Sequence, residues 1–422
     1  MKFRKVMALA LAASMAVSLN AVSVLAEGGD TTDITLWTYP VGSWGDSAVV
    51  DQMISNFNEA HPEINVTVEY LDYTNGDDQI NTAIEGGQAP DIVLEGPERL
   101  VANWGAKGLM VDLADLWTDE AKEAIYDSVE SACQNNEGVF YEYPLCMTAH
   151  TMAINRDLFE AADALQYLDE ETHTWTTENF VKAVQAVYDN GQQNVGAVYC
   201  SGQGGDQGTR ALVNNLYGGT FTNAEHTEYT ADSEENIKAL ELLKSMDGIN
   251  FDASIAGGDE INLFCNGTLA MAFCWNVAQE KNNAENLSFD VLPMAFPAEN
   301  GKPQLCGGIW GFGVFDNGDE AKVEASKTFI DFMANDETQV VESVKASSYW
   351  PVKDLGNIYE GDDLMTEYST FIQYMGDYYQ VVGGWAEART AWWNMLQQIG
   401  SGADVTEAVE EFVTTANAAA AK

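Results

Sequence analysis

The 422-residue sequence predicts an α/β protein of two domains, each a mainly parallel sheet flanked by helices. Three observations carry this. Segments of period-2 alternation are separated by segments of helical period, in the order strand, helix, strand, helix, strand. Length, with 46% hydrophobic and 11% aromatic residues, supplies apolar surface for two cores of ~100 to 200 residues each. A long extended stretch from Val139 to Asn155, interrupted by Pro144, reads as a connector between domains.

The elements follow in order. Ile34 to Trp37 alternates as a first strand, and Pro40 to Asp46 breaks it. Val49, Met53, Ile54 and Phe57 recur at helical spacing until His61-Pro62 ends the helix, and Ile64 to Tyr70 alternates as a second strand. Ile80 to Glu85 is a short helix stopped by Gly86-Gly87, and Pro90 to Leu94 is a third strand. Leu113 to Cys133 reads as helical. Thr176 or Thr177 begins another helix by a capping-box pattern, with Phe180, Val184 and Val187 on its inner face. Val195 to Cys200 is a strand running into the glycine-rich Ser201 to Gly208. Ile237 to Met246, Ala321 to Ala334, and a stretch begun near Trp385 and continuing through Ile399 are further helices.

The amino terminus has the layout of a cleavable export signal: Lys2, Arg4 and Lys5, an apolar run from Val6 to Leu19, and small residues at Val24 and Ala26. Its apolar stretch is shorter than the ~20 residues that cross a bilayer. No cysteine precedes Glu27, so a lipid-anchored form is not expected. Removing residues 1 to 26, which hold three basic and no acidic residues, takes the net charge from −47 to −50. So acidic a surface repels phosphate backbones and anionic membranes, which excludes nucleic acid as a partner. The six cysteines form no CxxC pair and sit among apolar neighbours; buried thiols and disulfides both fit, the former better.

Catalytic and metal motifs are absent. The four histidines are scattered, with no His-Glu-x-x-His spacing. Gly202 to Asp206 lacks the Gly-Lys-Ser/Thr ending of a phosphate loop, and no nucleophile elbow occurs. No catalytic residue, metal or cofactor is expected. What stands out is tryptophan beside structural breaks: Trp37, Trp44, Trp275, Trp310, Trp350 and Trp385. Singly, an indole is more often core than ligand contact. As a set beside loops, indoles suit the C–H faces of sugar rings, with carboxylates and amides for the hydroxyls.

The sequence resembles the extracellular solute-binding proteins of ABC importers, in the sugar-binding cluster that includes maltose-binding protein. The segments that carry the resemblance are Ile34-Thr35-Leu36-Trp37-Thr38, Phe57 to Ile64, Ala83 to Val93, Tyr143-Pro144 with Asn155 to Phe159, Thr174-Trp175-Thr176, and Phe264 to Met271, in the family's order. The resemblance implies a two-lobed periplasmic-binding-protein fold of type II that crosses its hinge three times, near Leu145, Gly307 and Trp350. Lobe 1 is then 33–145 plus 307–346, and lobe 2 is 146–306 plus 347–422. It implies a small-molecule ligand, most simply a mono- or oligosaccharide, held between the lobes of a monomer and delivered to the importer's permease subunits. The ligand-binding positions it implies are Trp37, Tyr39, Trp44, Asp46, Glu95, Trp275, Gly308, Trp310, Trp350, Trp385 and Arg389. Arg389 suits an interlobe salt bridge equally well. A cationic solute such as a polyamine, met by charge pairing and cation–π contacts, and an extracytoplasmic carbohydrate enzyme are the other readings. Periplasmic and secreted locations both fit the export signal.

Overall fold

In the computed structural model the described residues are 31–421, apart from 73–74 and 202–205. The export signal and the centre of the glycine-rich segment lie outside them. Eleven strands are present among these residues: β1 (Thr32–Thr38), β2 (Ile64–Tyr70), β3 (Ile92–Glu95), β4 (Tyr143–Ala149), β5 (Thr151–Asn155), β6 (Gly196–Ser201), β7 (Ile249–Ala256), β8 (Met271–Trp275), β9 (Val291–Met294), β10 (Gly307–Val314) and β11 (Trp350–Pro351).

The first lobe is built on a six-stranded sheet in the order β11-β4-β10-β3-β1-β2. β1 pairs in parallel with β2 and β3, each step crossing through a helix, Ser47–Ala60 and then Gly76–Glu85. β10 runs antiparallel to its neighbours because it enters from the other lobe rather than through a helical crossover. The second lobe joins the antiparallel set β8-β5-β9 to the parallel pair β6-β7, and the amide of Met271 bonds the carbonyl of Val195 at the seam. Each lobe has its own large apolar core. All six cysteines are buried thiols, as their apolar neighbours suggested.

Local rules account for the helix boundaries. Asp46 accepts the Ala48 amide to cap the Ser47–Ala60 helix, and Thr176, not Thr177, caps Thr177–Asp189 by accepting from Asn179. The stretch from Leu113 to Cys133 is not one helix. It holds two six-residue helices, Asp119–Ala124 and Asp127–Ala132, because Ile125 turns extended to bridge Lys353 and the Tyr126 amide bonds the Val352 carbonyl.

The sheets also place the crossings. β4 continues through Ala149 and β5 starts at Thr151 in the other sheet, so the chain changes lobes at His150, five residues beyond Leu145. Pro144 has no amide hydrogen to give its neighbour, and the β4–β10 ladder slips register at that point, between Trp310 and Gly311. β10 begins at Gly307 in the first lobe's sheet; a β-carbon there would stand 1.9 Å from the Thr148 carbonyl oxygen. The third crossing falls later than Trp350, since β11 still pairs with β4 and Lys353 still touches Ile125. Trp350 divides itself: its backbone pairs with Met147 in the first lobe's sheet, while its side chain belongs to the second lobe's core.

Candidate functional site

Parallel sheets place ligands beyond the carboxyl ends of their strands, here those of β1 and β3. Tyr39, just past β1, and Glu95, closing β3, stand there with Arg99. Arg99 Nη1 donates to Glu95 Oε1 at 2.7 Å, and its Nε donates to Asp77 Oδ1 at 2.7 Å. The Tyr39 hydroxyl donates to the same Asp77 oxygen, and the Arg99 guanidinium lies 5.2 Å from the Tyr39 ring centre.

Burial works against charge on the acids here. Glu95 is 1% exposed; burial pushes its carboxyl up to about 8, with the Arg99 charge pulling the other way. Glu142, just before β4, is wholly buried and neither of its oxygens has a hydrogen-bond partner. Burial, reinforced by Glu98 and Glu95, holds it well above the usual carboxylate range.

The segment 378–382 is shared between the cores: Tyr378 packs in the first lobe's, Tyr379 and Val382 in the second's. Tyr378 donates its hydroxyl to Glu98 Oε2 at 2.7 Å, and Gln380 Nε2 donates to the Gly307 carbonyl at 3.0 Å. Behind it, Tyr379 packs 6.0 Å from Trp385, and Trp385 lies 4.8 Å from the Arg210 guanidinium. The Trp385 indole nitrogen is buried without a hydrogen-bond partner. Arg389 is half-buried one turn along the same Trp385–Gly400 helix.

Trp310, on β10, is half-buried and stacks on Tyr349 at 4.7 Å with only 12° between the planes. Gly308 is required beneath it, since a β-carbon there would come within 2.0 Å of the indole. Trp37 is half-buried on β1, and the indole nitrogen of Trp350 is buried without a partner.

Three expected positions are placed elsewhere. Trp44 is 0% exposed, donates its indole hydrogen to the Ser343 carbonyl at 3.0 Å and packs edge-on against Phe312, so it is a core residue of the first lobe. The 3-10 turn Gly42–Gly45 folds its side chain inward. Asp46 is the helix cap described above. Trp275 is also 0% exposed, with its indole hydrogen on the Tyr368 hydroxyl at 2.7 Å and its ring against Phe264. Conversely, Glu142, Arg210 and Tyr378 carry no local sequence signal; Arg99 stands in an i,i+4 pair with Glu95, a local pattern that could have marked it, while its other partner Asp77 lies 22 residues back.

A cavity of about 490 Å³ lies beside this region, between the helix Asp206–Tyr217 and the segments 298–306 and 376–379. None of the expected ligand positions lines it.

Residues 42–340 match the family of bacterial extracellular solute-binding proteins. No curated protein matches the chain. Among solved structures, a cyclic α-maltosyl-1,6-maltose binding protein from Arthrobacter globiformis is similar with a TM-score of 0.75 at 16% identity, over 92% of this chain and 99% of that one. An ABC substrate-binding protein from Listeria monocytogenes in complex with cycloalternan gives 0.71 at 19% identity, over 92% and 99%. A maltose/maltodextrin-binding domain from Bdellovibrio bacteriovorus bound to maltotriose gives 0.65 at 14%, again over 92% and 99%. These likenesses establish the fold as the two-lobed one of periplasmic binding proteins. With more than half of its length matched, the chain belongs to the bacterial extracellular solute-binding protein family.

Proposed function

We propose that the protein is an exported receptor that closes its lobes on a mono- or oligosaccharide and delivers it, as a monomer, to the permease of an ABC importer. The observation that carries this is that the fold offers two kinds of surface. One is the acidic and guanidinium cluster of Glu95, Asp77 and Arg99; the other is aromatic, the Trp310–Tyr349 stack and the Tyr379–Trp385 pair. Hydroxyls and ring faces need these two chemistries. The sugars named for the structural neighbours from Arthrobacter, Listeria and Bdellovibrio support the same ligand class.

Within this reading, Trp37, Tyr39, Glu95, Gly308, Trp310, Trp350, Trp385 and Arg389 form the ligand set. Contacts made to both lobes favour the closed state, so occupancy and closure are coupled. A hydrolytic role is disfavoured: Glu95 and Glu142 are shut away from water, and Arg99 holds Glu95. The export signal places the receptor in the periplasm or outside the cell; among the described residues no helix is long and apolar enough to cross a membrane.

Calorimetric titration with mono- and oligosaccharides tests the reading. Saturable binding that is insensitive to salt, with no product released over hours, is the expected result. Steady turnover of a sugar would overturn it. One observation favours a second reading, a cationic solute: Glu95 Oε2 and both Glu142 oxygens are buried without partners. Binding of spermidine that weakens steeply with salt would select it.

A further inference from the structure

Glu142 is a buried acid that the ligand set does not use. It lies just before β4, is 0% exposed, and neither of its side-chain oxygens has a hydrogen-bond partner. Its backbone is fixed, since its carbonyl accepts the Trp117 indole hydrogen at 3.0 Å. Its carboxyl lies against Gly311 of β10: a β-carbon on Gly311 would stand 2.8 Å from Glu142 Oε1. The missing side chain of Gly311 gives the carboxyl its room. Gly311 is also the partner of Glu95 in the β3–β10 ladder.

Gly311 stands where β10 slips on β4. It faces Pro144 while Trp310 faces Cys146, so Leu145 is skipped between them. The peptide joining Gly311 to Trp310 thus meets Glu142 at one end and carries the Trp310–Tyr349 stack at the other. The ionisable groups that face Glu142 are Glu95 and Glu98, Cys133 at the end of the Asp127–Ala132 helix, Cys146 on β4, and Tyr378 of the shared segment. All are acids, and among the described residues no base faces it. Arg99 bonds Glu95 and Asp77 and lies 3.9 Å from Glu98 instead. A negative charge on Glu142 would have neither water nor a partner, so the carboxyl keeps its proton while it lies on Gly311. Losing the proton drives it out of that seat, and the Gly311–Trp310 peptide then loses its support.

We propose that Glu142 is a proton-linked positioning residue: protonated, it seats Gly311 so that Trp310 stacks on Tyr349 and receives the sugar; ionised, it unseats the stack and weakens capture. The proposal takes its ligand from the sugar-receptor reading and its proton from the surroundings of Glu142 alone.

Two measurements between about pH 5 and about pH 9, above the ~4.3 of an exposed glutamate, test this. One is the near-ultraviolet circular dichroism of the stack, taken as the difference between wild type and Trp310→Phe. The other is calorimetry with D-glucose, maltose and maltotriose. In the wild type the stack signal should fade as pH rises, and the affinity for at least one of these sugars should drop about fivefold or more with it. Glu142→Gln, which mimics the protonated acid, should keep the low-pH signal and affinity throughout. Glu142→Met, apolar and of similar length, repeats the test without an amide to bury. Glu95 is unaltered in both variants, so any titration that persists in them belongs to it. A stack signal that is flat in the wild type, or a change that survives in full in both variants, overturns the proposal whether or not sugar binds. A spectral change lost in the variants, with none of the sugars binding at any pH, supports the proton-linked stack and overturns the sugar reading.

Discussion

Tyr378 packs in the first lobe's core and donates a hydrogen bond of 2.7 Å to Glu98, with 280 residues of chain between them. Its neighbour Tyr379 packs in the second lobe's core, so the bond fastens a segment shared by both. A lost hydrogen bond of this kind costs ~0.5 to 1.5 kcal/mol. Tyr378→Phe is therefore expected to lower stability in denaturant unfolding by about that amount and, by loosening the shared segment, to weaken sugar binding. Equal affinities by calorimetry would show that the contact does not serve binding.

Trp44 and Trp310 should separate stability from binding. Trp44→Ala empties a sealed site in the first lobe's core and is expected to cost ~3 to 5 kcal/mol in denaturant unfolding. Trp310→Ala, at a half-buried stack, should cost far less stability but most of the sugar affinity. A Trp44→Ala variant that folds normally yet fails to bind would restore Trp44 to the ligand set.

Stability should fall as pH rises from about 5 to about 8. The folded state holds a proton on Glu95 up to about 8 and on Glu142 well above the usual range, whereas the unfolded chain releases both near ~4.3. Between those limits the folded state binds more protons, so raising pH favours unfolding. Glu142→Gln keeps the shape and removes one of these groups. Its melting temperature should exceed that of the wild type at pH 8 and approach it at about pH 4 and below; parallel curves would contradict this.

Gly308→Ala should act through its neighbour. The added methyl would push the Trp310 ring off Tyr349, so the near-ultraviolet circular dichroism of the pair should change and sugar affinity should drop about tenfold or more. Unaltered spectra would mean that the strand, not the indole, gives way.

The βαβ start of the first lobe was legible because alternation and helical period are local properties, and the capping pattern at Thr176 and Thr177 is local too. The crossings were legible only to within several residues. Leu145 and Trp350 mark the right strands, but where a strand leaves one sheet depends on pairing with β4, which no nearby residue encodes. Trp37 and Trp310 are half-buried and Trp385 is buried against Tyr379. Trp44 is sealed in because the turn carrying it folds inward onto Ser343. Glu142 and Tyr378 were hidden for the opposite reason: single acidic or phenolic residues in ordinary surroundings acquire meaning only when the tertiary fold gathers them.

Trp350 belongs to both lobes, by backbone to one and by side chain to the other. A rigid body cannot rotate about a point where it is fastened unless the axis passes close by. If the lobes turn against one another, the axis is expected to pass near Trp350, and displacement should grow with distance from it. Spin labels near this residue would report almost constant separations in empty and loaded protein, while labels at the far rim of the lobes would record the full swing.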